Sequence, residues 1–334
     1  MDSEYSKNLD YGYLLSQTQT KLAKLFDNDF YSLLLNSSNL TDIIAKLGHS
    51  SYKDFVNEGI KKEKKELRKA LFNSFKKELN DIERLIPRKC VLYEMIEYMK
   101  RNYVIGSFLY SITSKKSDVI KVEEGELGYF DEINALPLAN SVSEALELME
   151  DKNFIKIYLQ FFREGLKENL CENDFQKLAT KFYKKNLDDF HSEMAERGLL
   201  TISLDEVLKE EGNKMIFEGI LNKIELSQEL DLEIIPNTHS LQFDDLQSLY
   251  AVKNKEDFIN SMKNTNYKKF FSEEEHDFLK LFKNIELEKM KKIFDNFNDV
   301  VSVYCYLKLK ENEIRNIIWT VEMFSCGKKE LDHF

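Results

Sequence analysis

Proline and glycine are scarce in this chain. Only 3 of its 334 residues are proline and 11 are glycine, whereas all-β and α/β proteins need both residues in their many turns. Alternation of apolar and polar residues, the pattern of strands, is nearly absent, and apolar residues instead recur every three or four positions. The sequence therefore predicts an all-α protein with long helices and short connections.

Long apolar runs and an excess of basic charge are also lacking. No stretch approaches the ~18 apolar residues of a membrane span, and the polar, acidic N-terminus does not resemble a signal peptide. Lysine and arginine total 48 against 59 acidic residues, a net charge of −11. This balance disfavours nucleic acid as a partner, because phosphate contacts supply most of that affinity. The four cysteines form no CxxC pair, which is typical of reduced thiols in a cytosolic protein.

Motifs for phosphate or magnesium binding are incomplete. A phosphate-binding loop needs several glycines close together, and the only close pair, Gly125 and Gly128, lacks the Lys-Ser/Thr that should follow. The acid pairs at 188–189 and 244–245 do not continue into the Asp-Asp-x-x-Asp motif that holds magnesium-diphosphate in helical enzymes. We interpret these pairs as capping or solvated acids.

Metal ligands and nucleophiles are not evident either. None of the five histidines has a histidine partner at helical spacing. His191 with Glu193, or His276 within residues 273–277, could bind a metal weakly, but surface histidines fit the pattern better. No cysteine has a histidine nearby in sequence, so buried structural thiols are expected. We predict no catalytic, cofactor-binding or metal-binding residue, and no cofactor.

Basic residues concentrate only in residues 61–77. They alternate with Leu67, Leu71 and Phe75, whose spacing places them on the opposite face of an amphipathic helix. Two interpretations remain open for the basic face: a solvated surface, or contact with an acidic partner or anionic lipid headgroups.

A short pattern occurs three times and centres on Tyr52, Phe154 and Tyr267. In each copy an acid lies ten residues before the centre, apolar residues lie eight and five before it, and two more follow three and four residues after it. We call them copy 1, copy 2 and copy 3, which cover residues 42–56, 144–158 and 257–271. Their spacing of about 110 residues exceeds that of solenoid repeats and suggests three similar domains.

Each copy is predicted to form two short helices, followed by two long ones. The first short helix has candidate capping residues: Asn39 or Thr41, Ser141 or Ser143, and Asn254. A further cap, Ser203, is predicted for a long helix.

Loops near residues 115–128 and 226–240 separate the repeats. We therefore predict helical domains over residues 1–115, 116–230 and 231–334.

The segment 306–326 is the most distinctive in the chain. On a helix, Glu311, Arg315, Trp319 and Glu322 share one face, and Trp319 is the only tryptophan. Arg315 can bridge an acid and the indole ring. Taken alone, this pattern is typical of a helix that ion pairs lock into a bundle.

This segment also resembles the closing signature KLKExExRNIxWIxE of a known family, subunit d of the vacuolar (V-type) proton ATPase, which has an archaeal counterpart in the A-type ATPase. The matching residues are Lys308, Leu309, Lys310, Glu311, Glu313, Arg315, Asn316, Ile317, Trp319 and Glu322. The N-terminal Gly12-Tyr13-Leu14, the block 30–55 and the segment 127–130 are similar to further family patterns. The resemblance covers nearly the whole chain and is weakest between about 170 and 245.

The resemblance implies three pseudo-symmetric helical bundle domains that form a shallow cup. The protein would be a non-catalytic rotor subunit that couples the central stalk to the membrane proteolipid ring, at the cytoplasmic face of vacuolar or other endomembranes. Contact with the stator, through its a subunit, is left open. Five signature residues become candidate structural or interface positions: Glu311, Arg315, Asn316, Trp319 and Glu322.

The chain departs from the family pattern in two respects. Ser37, Ile314 and Met323 stand where family members often carry cysteine, so no disulfide is transferred. Gly212-Asn213-Lys214 replaces an Asp-Arg-Arg, which puts that contact in doubt.

Two other classes of function compete with the rotor subunit. A helical scaffold or adaptor unrelated to ATPases would share the all-α character but would not account for the C-terminal signature. An enzyme with an unrecognised helical active site would need a buried cluster of acids, and no such cluster stands out in the sequence.

Overall fold

The computed structural model describes most of the chain. The described residues are 2–56, 63–88, 90–113, 136, 139, 141–149, 152–162, 172–226, 233, 235–271, 278–296 and 299–325. These residues contain no strand, and the prediction of an all-α protein is confirmed.

Thirteen α-helices are assigned within the described ranges. They are α1 (Asp2–Leu22), α2 (Asn28–Leu35), α3 (Leu40–Gly48), α4 (Lys64–Leu85), α5 (Val91–Thr113), α6 (Val142–Glu147), α7 (Lys152–Phe161), α8 (Glu172–Glu196), α9 (Ile202–Leu226), α10 (Phe243–Ala251), α11 (Lys255–Met262), α12 (Phe278–Asn296) and α13 (Val300–Ser325). A 3₁₀ helix, Lys268–Phe271, follows α11.

The first short helix of each copy begins at a predicted cap. The acid of the copy donates its backbone N–H to a side chain three residues earlier: Asn39 at 3.0 Å, Ser141 at 3.0 Å and Asn254 at 2.8 Å. These side chains satisfy amides that have no partner inside the helix. The prediction of caps at these three residues is confirmed, and of the alternatives Thr41 and Ser143 neither is the cap.

Copies 1 and 3 share a second local feature, a hydroxyl two residues before the central tyrosine. Ser50 donates to the carbonyl of Leu47 at 2.6 Å and accepts from the N–H of Tyr52 at 3.2 Å. Thr265 makes the same two bonds in copy 3, at 2.8 Å and 3.1 Å. The hydroxyl thus connects the end of the first short helix to the backbone of the central tyrosine.

Helix α9 begins differently from the prediction. The N–H of Leu204 donates to Thr201 Oγ at 3.2 Å, so Thr201 acts as the cap. Ser203 lies inside the helix and is buried. The predicted cap at Ser203 is therefore wrong by two residues, because the amide of Leu204, one of those at the start of α9 that have no partner inside the helix, donates to Thr201.

The chain forms two compact units. Unit 1 contains Met1–Glu150 and Phe294–Phe334, and unit 2 contains Asp151–Ile293. The division into repeat domains over 1–115, 116–230 and 231–334, and their arrangement as a cup, stay predictions.

The last helix, α13, lies at the centre of unit 1. It packs against four other helices, α1, α2, α4 and α5. All seven residues from 301 to 307 are at most 2% exposed. Because this core combines helices from both ends of the chain, unit 1 is complete only when the C-terminal helix is in place.

Unit 2 is built around aromatic side chains. Phe217 of α9 contacts Tyr267 edge-on at 5.1 Å and Phe282 at 5.5 Å, measured between ring centroids. Phe258 contacts Phe278 at 5.5 Å. These rings are nearly fully buried and supply much of the apolar area that holds α9, α11 and α12 together.

Candidate functional site

Helix α13 carries charged side chains into the interior of unit 1. Lys310 is 5% exposed, Glu311 7% and Glu313 3%. Lysine and glutamate are almost never this buried unless they are paired, because removal of a charge from water is costly. The partners of these residues therefore determine how the helix is held.

The carboxylate of Glu313 accepts three short hydrogen bonds. Lys310 Nζ and Tyr52 Oη donate to the same oxygen, each at 2.7 Å. The backbone N–H of Phe26, just after α1, donates to the other oxygen at 2.5 Å. The buried charge is thus compensated by a lysine one helical turn away and by two donors from the first 52 residues of the chain.

We call Tyr52, Lys310 and Glu313 the Tyr52 cluster. The ammonium of Lys310 also lies 4.1 Å from the centroid of the Tyr52 ring. Burial, and then the charge of Glu313, raise the pKa of Tyr52 well above its ordinary value. The hydroxyl therefore stays protonated and remains a donor throughout the physiological range.

Further polar contacts join α13 to α4, and one of the α4 side chains also pairs with α1. Tyr306 donates to Glu78 of α4 at 2.9 Å, and Lys21 of α1 pairs with the same carboxylate at 2.7 Å. Near the end of α13, Glu322 pairs with Arg68 of α4 at 3.0 Å. The contacts of Tyr306 and Glu322, like those of Glu313, fix the rotation of α13 about its own axis, because each requires a particular side of the helix to face its neighbour.

The predicted signature residues do not all share one environment. Glu311 is buried and pairs with Arg315, whose side chain is 63% exposed. Asn316 is half-buried and makes a side-chain hydrogen bond with Tyr31. Trp319 is half-buried, and Glu322 is exposed and turned towards α4. The Glu311–Arg315 pair matches the predicted ion pairing along the helix, whereas any role of these residues at an interface stays a prediction.

The sequence does not single out the residues that compensate the buried charge of Glu313. Lys310 and Glu313 match the family signature and Tyr52 is the centre of copy 1, but no sequence pattern indicates that the three residues are in contact. One signal was present: both charged residues interrupt an apolar stripe, where an unpaired charge would be unfavourable.

Unit 2 contains a second cluster of the same three residue types. Tyr267 donates to Glu210 at 2.7 Å, and Lys289 pairs with the other oxygen of that carboxylate at 2.7 Å. Lys289 lies 5.2 Å from the centroid of the Tyr267 ring. We call these three residues the Tyr267 cluster. Asn213 extends it, because its amide donates to the Tyr267 hydroxyl at 2.6 Å.

The glycine that precedes Asn213 allows a close backbone approach. A Cβ added at Gly212 would lie 1.7 Å from the carbonyl oxygen of Thr238. Asn213 accepts from the N–H of Ser240 at 2.9 Å, and Lys214 pairs with Glu286 at 2.7 Å. The three residues that replace the family's Asp-Arg-Arg therefore have structural roles within unit 2.

The acid pair at 188–189 is structural, as interpreted from the sequence. Asp188 Oδ1 accepts from the backbone N–H groups of Asn237 and Thr238, both at 3.0 Å, and from the Thr238 hydroxyl at 3.0 Å. Asp189 pairs with Lys185 on the same helix. The carboxylates thus cap a loop and neutralise a lysine.

Metal-binding groups are not found among the described residues, where no three histidine, cysteine or acidic side chains come together. His191 contacts Asp205 at 2.9 Å, and Glu193 pairs instead with Arg197. His276 and the Gly125–Gly128 pair lie outside the described residues. The prediction that the chain holds no metal, cofactor or catalytic residue stays a prediction.

The basic segment 61–77 is described from residue 63 onwards. Within it, Arg68 pairs with Glu322 and Lys77 lies 5.5 Å from the centroid of the Phe55 ring. Part of the basic charge therefore serves contacts inside unit 1, and the choice between a solvated face and an anionic partner stays open for the rest.

Comparison with known families supports the resemblance seen in the sequence. The family model described as ATP synthase (C/AC39) subunit matches residues 16–331, which include both tyrosine clusters and the signature on α13. The chain belongs to the ATP synthase (C/AC39) subunit family. The predicted membership is thus confirmed over nearly the whole length.

Curated members of the C/AC39 family show how far this chain has diverged. It is 22% identical to the V-type proton ATPase subunit d of Saccharomyces cerevisiae, over 97% of this chain and 96% of the relative. It is also 22% identical to the V-type proton ATPase subunit d of Dictyostelium discoideum, over 72% of this chain and 70% of the relative. The low identity over most of the chain indicates a divergent member of the family.

Proposed function

We propose that this chain is a rotor subunit of a V-type proton-pumping ATPase, that it joins the central stalk to the membrane proteolipid ring, and that it transmits torque without catalysing a reaction. The observation that carries this proposal is the family match over residues 16–331. The curated relatives named V-type proton ATPase subunit d agree with it.

The packing of α13 supports a mechanical role. A subunit that transmits torque must resist deformation, and densely packed interiors do so. In unit 1, α13 combines seven consecutive buried residues, 301–307, with an ion pair and a hydrogen bond to α4 and a hydrogen bond to copy 1. The load-transmitting contacts of the rotor would then rest on a helix that cannot rotate without breaking buried charged hydrogen bonds.

The proposed location is peripheral, at the cytoplasmic face of vacuolar or other endomembranes. Among the described helices, none combines the length and the apolar character needed to cross a bilayer. Protein contacts would then hold the subunit in place, and the proposed partners are the central stalk subunits and the proteolipid ring. Contact with the a subunit of the stator remains an open part of the proposal.

Copurification tests the assembly. The chain is tagged, membranes are extracted in mild detergent, and the bound proteins are identified by mass spectrometry. We expect a small, very apolar proteolipid together with stalk and catalytic subunits. Recovery of soluble partners alone would contradict the proposal and favour a helical scaffold or adaptor.

A matched pair of charge reversals tests whether the exposed side of α13 is an interface. Arg315→Glu changes an exposed signature residue, and Arg84→Glu changes an exposed arginine of α4 that likewise pairs with an acid on its own helix. If α13 contacts the stalk or the ring, Arg315→Glu lowers the yield of copurified subunits while its circular dichroism spectrum matches that of the unsubstituted chain, and Arg84→Glu changes neither. Equal yields from both variants would place the interface elsewhere.

A further inference from the structure

The Tyr52 cluster and the Tyr267 cluster join the same three residue types although different helices build them, and they differ in whether tyrosine and lysine share one carboxylate oxygen. In both, the central tyrosine of a copy donates to a glutamate at 2.7 Å, and a lysine pairs with that glutamate at 2.7 Å while it lies over the tyrosine ring. Lys310 and Glu313 are both on α13, whereas Glu210 is on α9 and Lys289 is on α12. The shared contacts therefore do not depend on one helical spacing between the lysine and the glutamate, and the feature common to both is the central tyrosine of the copy.

The central residue of copy 2 cannot make this hydrogen bond. Its central residue is Phe154, which has no hydroxyl, is 5% exposed and packs against Phe182 at 5.3 Å between ring centroids. Copy 2 also lacks the hydroxyl residue of the other copies, since Lys152 stands two residues before the centre. The second part of copy 2 instead belongs to a regular helix, α7.

Copy 2 differs in its position as well. Unit 1 includes the chain up to Glu150, and unit 2 starts at Asp151, so the boundary between the units falls inside copy 2. Copies 1 and 3 each lie wholly within one unit. The copy without a tyrosine cluster is thus the one through which the chain passes from one compact unit to the other.

We propose that the two tyrosine clusters hold copy 1 against α13 and copy 3 against α9 and α12, and that copy 2 opens at the lowest free energy of the three copies. A hydrogen bond to a buried charge adds more to stability than a neutral one, and its removal leaves that charge incompletely paired. Local opening free energies differ between parts of one protein and follow such contacts.

The consequence for torque transmission rests on the proposed function, whereas the opening of the copies does not. In a rotor subunit, copies 1 and 3 would transmit load rigidly, and copy 2 would yield first under strain. The test therefore uses the isolated full-length chain, so that its failure would leave the assembly with the ATPase unaffected.

Hydrogen–deuterium exchange followed by mass spectrometry measures the opening of each copy. Protection factors, which correct for the intrinsic exchange rate of each peptide, are compared for residues 40–56, 142–161 and 255–271. We expect residues 142–161 to have the lowest protection. Equal or higher protection in copy 2 would overturn the proposal.

Two substitutions assign the protection to the hydroxyl groups. Tyr52→Phe is expected to raise exchange about ten- to a hundredfold in residues 40–56 and to leave residues 255–271 unchanged, and Tyr267→Phe is expected to do the reverse. Tyr13→Phe, at an exposed tyrosine of α1, is the control and is expected to change neither region. Equal increases along the whole chain, or none in the copy concerned, would contradict the proposal.

The comparison of copies in the unsubstituted chain keeps the proposal testable if a variant does not fold. This comparison requires that exchange in the three regions reports local opening. The requirement is met if the measured exchange rates rise in proportion to the intrinsic exchange rate as the pH is raised. The order of protection then decides the outcome.

Discussion

The ammonium group of Lys310 lies over the aromatic ring of Tyr52, 4.1 Å from its centroid. The two residues come from opposite ends of the chain, and both also contact Glu313. A cation on an aromatic face is worth ~2 kcal/mol when both groups are removed from water. The contact therefore adds to the hydrogen bonds that tie the last helix to copy 1.

Loss of the Tyr52 hydroxyl should destabilise unit 1. We expect Tyr52→Phe to lower the free energy of unfolding by about 1.5–3 kcal/mol, because Glu313 loses one donor to a buried charge. Chemical denaturation followed by circular dichroism measures the change. The unfolding free energy of Tyr13→Phe, at an exposed position, should stay within about 0.5 kcal/mol of that of the unsubstituted protein. Similar losses from both variants would show that the hydrogen bond from Tyr52 to Glu313 does not stabilise unit 1.

Two glycines of α9 should respond to alanine in opposite directions. At Gly212 the added Cβ would meet the backbone of Thr238, so we expect Gly212→Ala to destabilise the protein by about 1–3 kcal/mol. At Gly219 nothing lies within 4 Å of the added atom, so Gly219→Ala should stabilise the helix by about 0.5–1 kcal/mol. Thermal unfolding of both variants tests the contrast, which fails if the two shifts have the same sign.

Asp205 should contribute stability that disappears in acid. Burial raises the pKa of its carboxyl, but hydrogen bonds from Lys209 and His191 outweigh that effect and hold the pKa below its ordinary value. A lowered pKa in the folded state stabilises the protein above the unfolded value of about 3.9, and this contribution is lost as the pH falls through the folded value. Asp205→Asn should therefore be less stable than the unsubstituted protein at pH 7.

The pH dependence provides the check on Asp205. Denaturation curves of the two proteins, measured from pH 7 downwards, should converge as the pH falls below the ordinary aspartate value of about 3.9. A stability difference that is constant with pH would indicate that the packing of the side chain, and not its ionisation, decides stability at this position.

Glu218 should behave in the opposite way. Burial, the largest effect, and the charge of Glu286 raise the pKa of its carboxyl, while Lys214 lowers it. A raised pKa in the folded state means that stability is fully present below the unfolded value of about 4.3 and declines as the pH rises through the folded value. Because glutamine stays neutral, Glu218→Gln should be more stable than the unsubstituted protein at pH 8.

A titration of stability distinguishes ionisation of Glu218 from other effects. The advantage of Glu218→Gln should vanish at about pH 4, where the carboxyl is protonated in both states. Glu206→Gln, at an exposed position on the same helix, should leave the unfolding free energy within about 0.5 kcal/mol. An advantage that persists at low pH would refute the assigned cause.

Local structure was largely predictable from nearby residues. The spacing of apolar residues predicts the long helices. The sequence also predicts the cap at Asn254 and places the other two caps at Asn39 or Thr41 and at Ser141 or Ser143, because a capping side chain needs only the amides that follow it within one turn. Ser203 was misplaced for a related reason. Thr201 offers the same hydroxyl two residues earlier, and only the backbone hydrogen bonds distinguish the two.

Long-range contacts of the signature helix were not predictable. The spacing of Glu311 and Arg315 indicated an ion pair along one helix, and the two residues do pair. Glu322 instead pairs with Arg68 on α4, and the charge of Glu313 is compensated by Tyr52 and Lys310. Periodicity along one helix carries no information about which neighbouring helix a side chain faces.

The sequence by itself determined that this chain is helical, where its short helices begin, that one pattern occurs three times, and which family its last helix resembles. These properties follow from interactions within a few residues or from direct comparison of amino-acid sequences. Only the tertiary structure decided which tyrosine meets which carboxylate, and that the central tyrosines of copies 1 and 3 each donate to a glutamate outside their copy. Burial of a charge is favourable only beside its partners, and folding brings together partners that lie far apart along the chain.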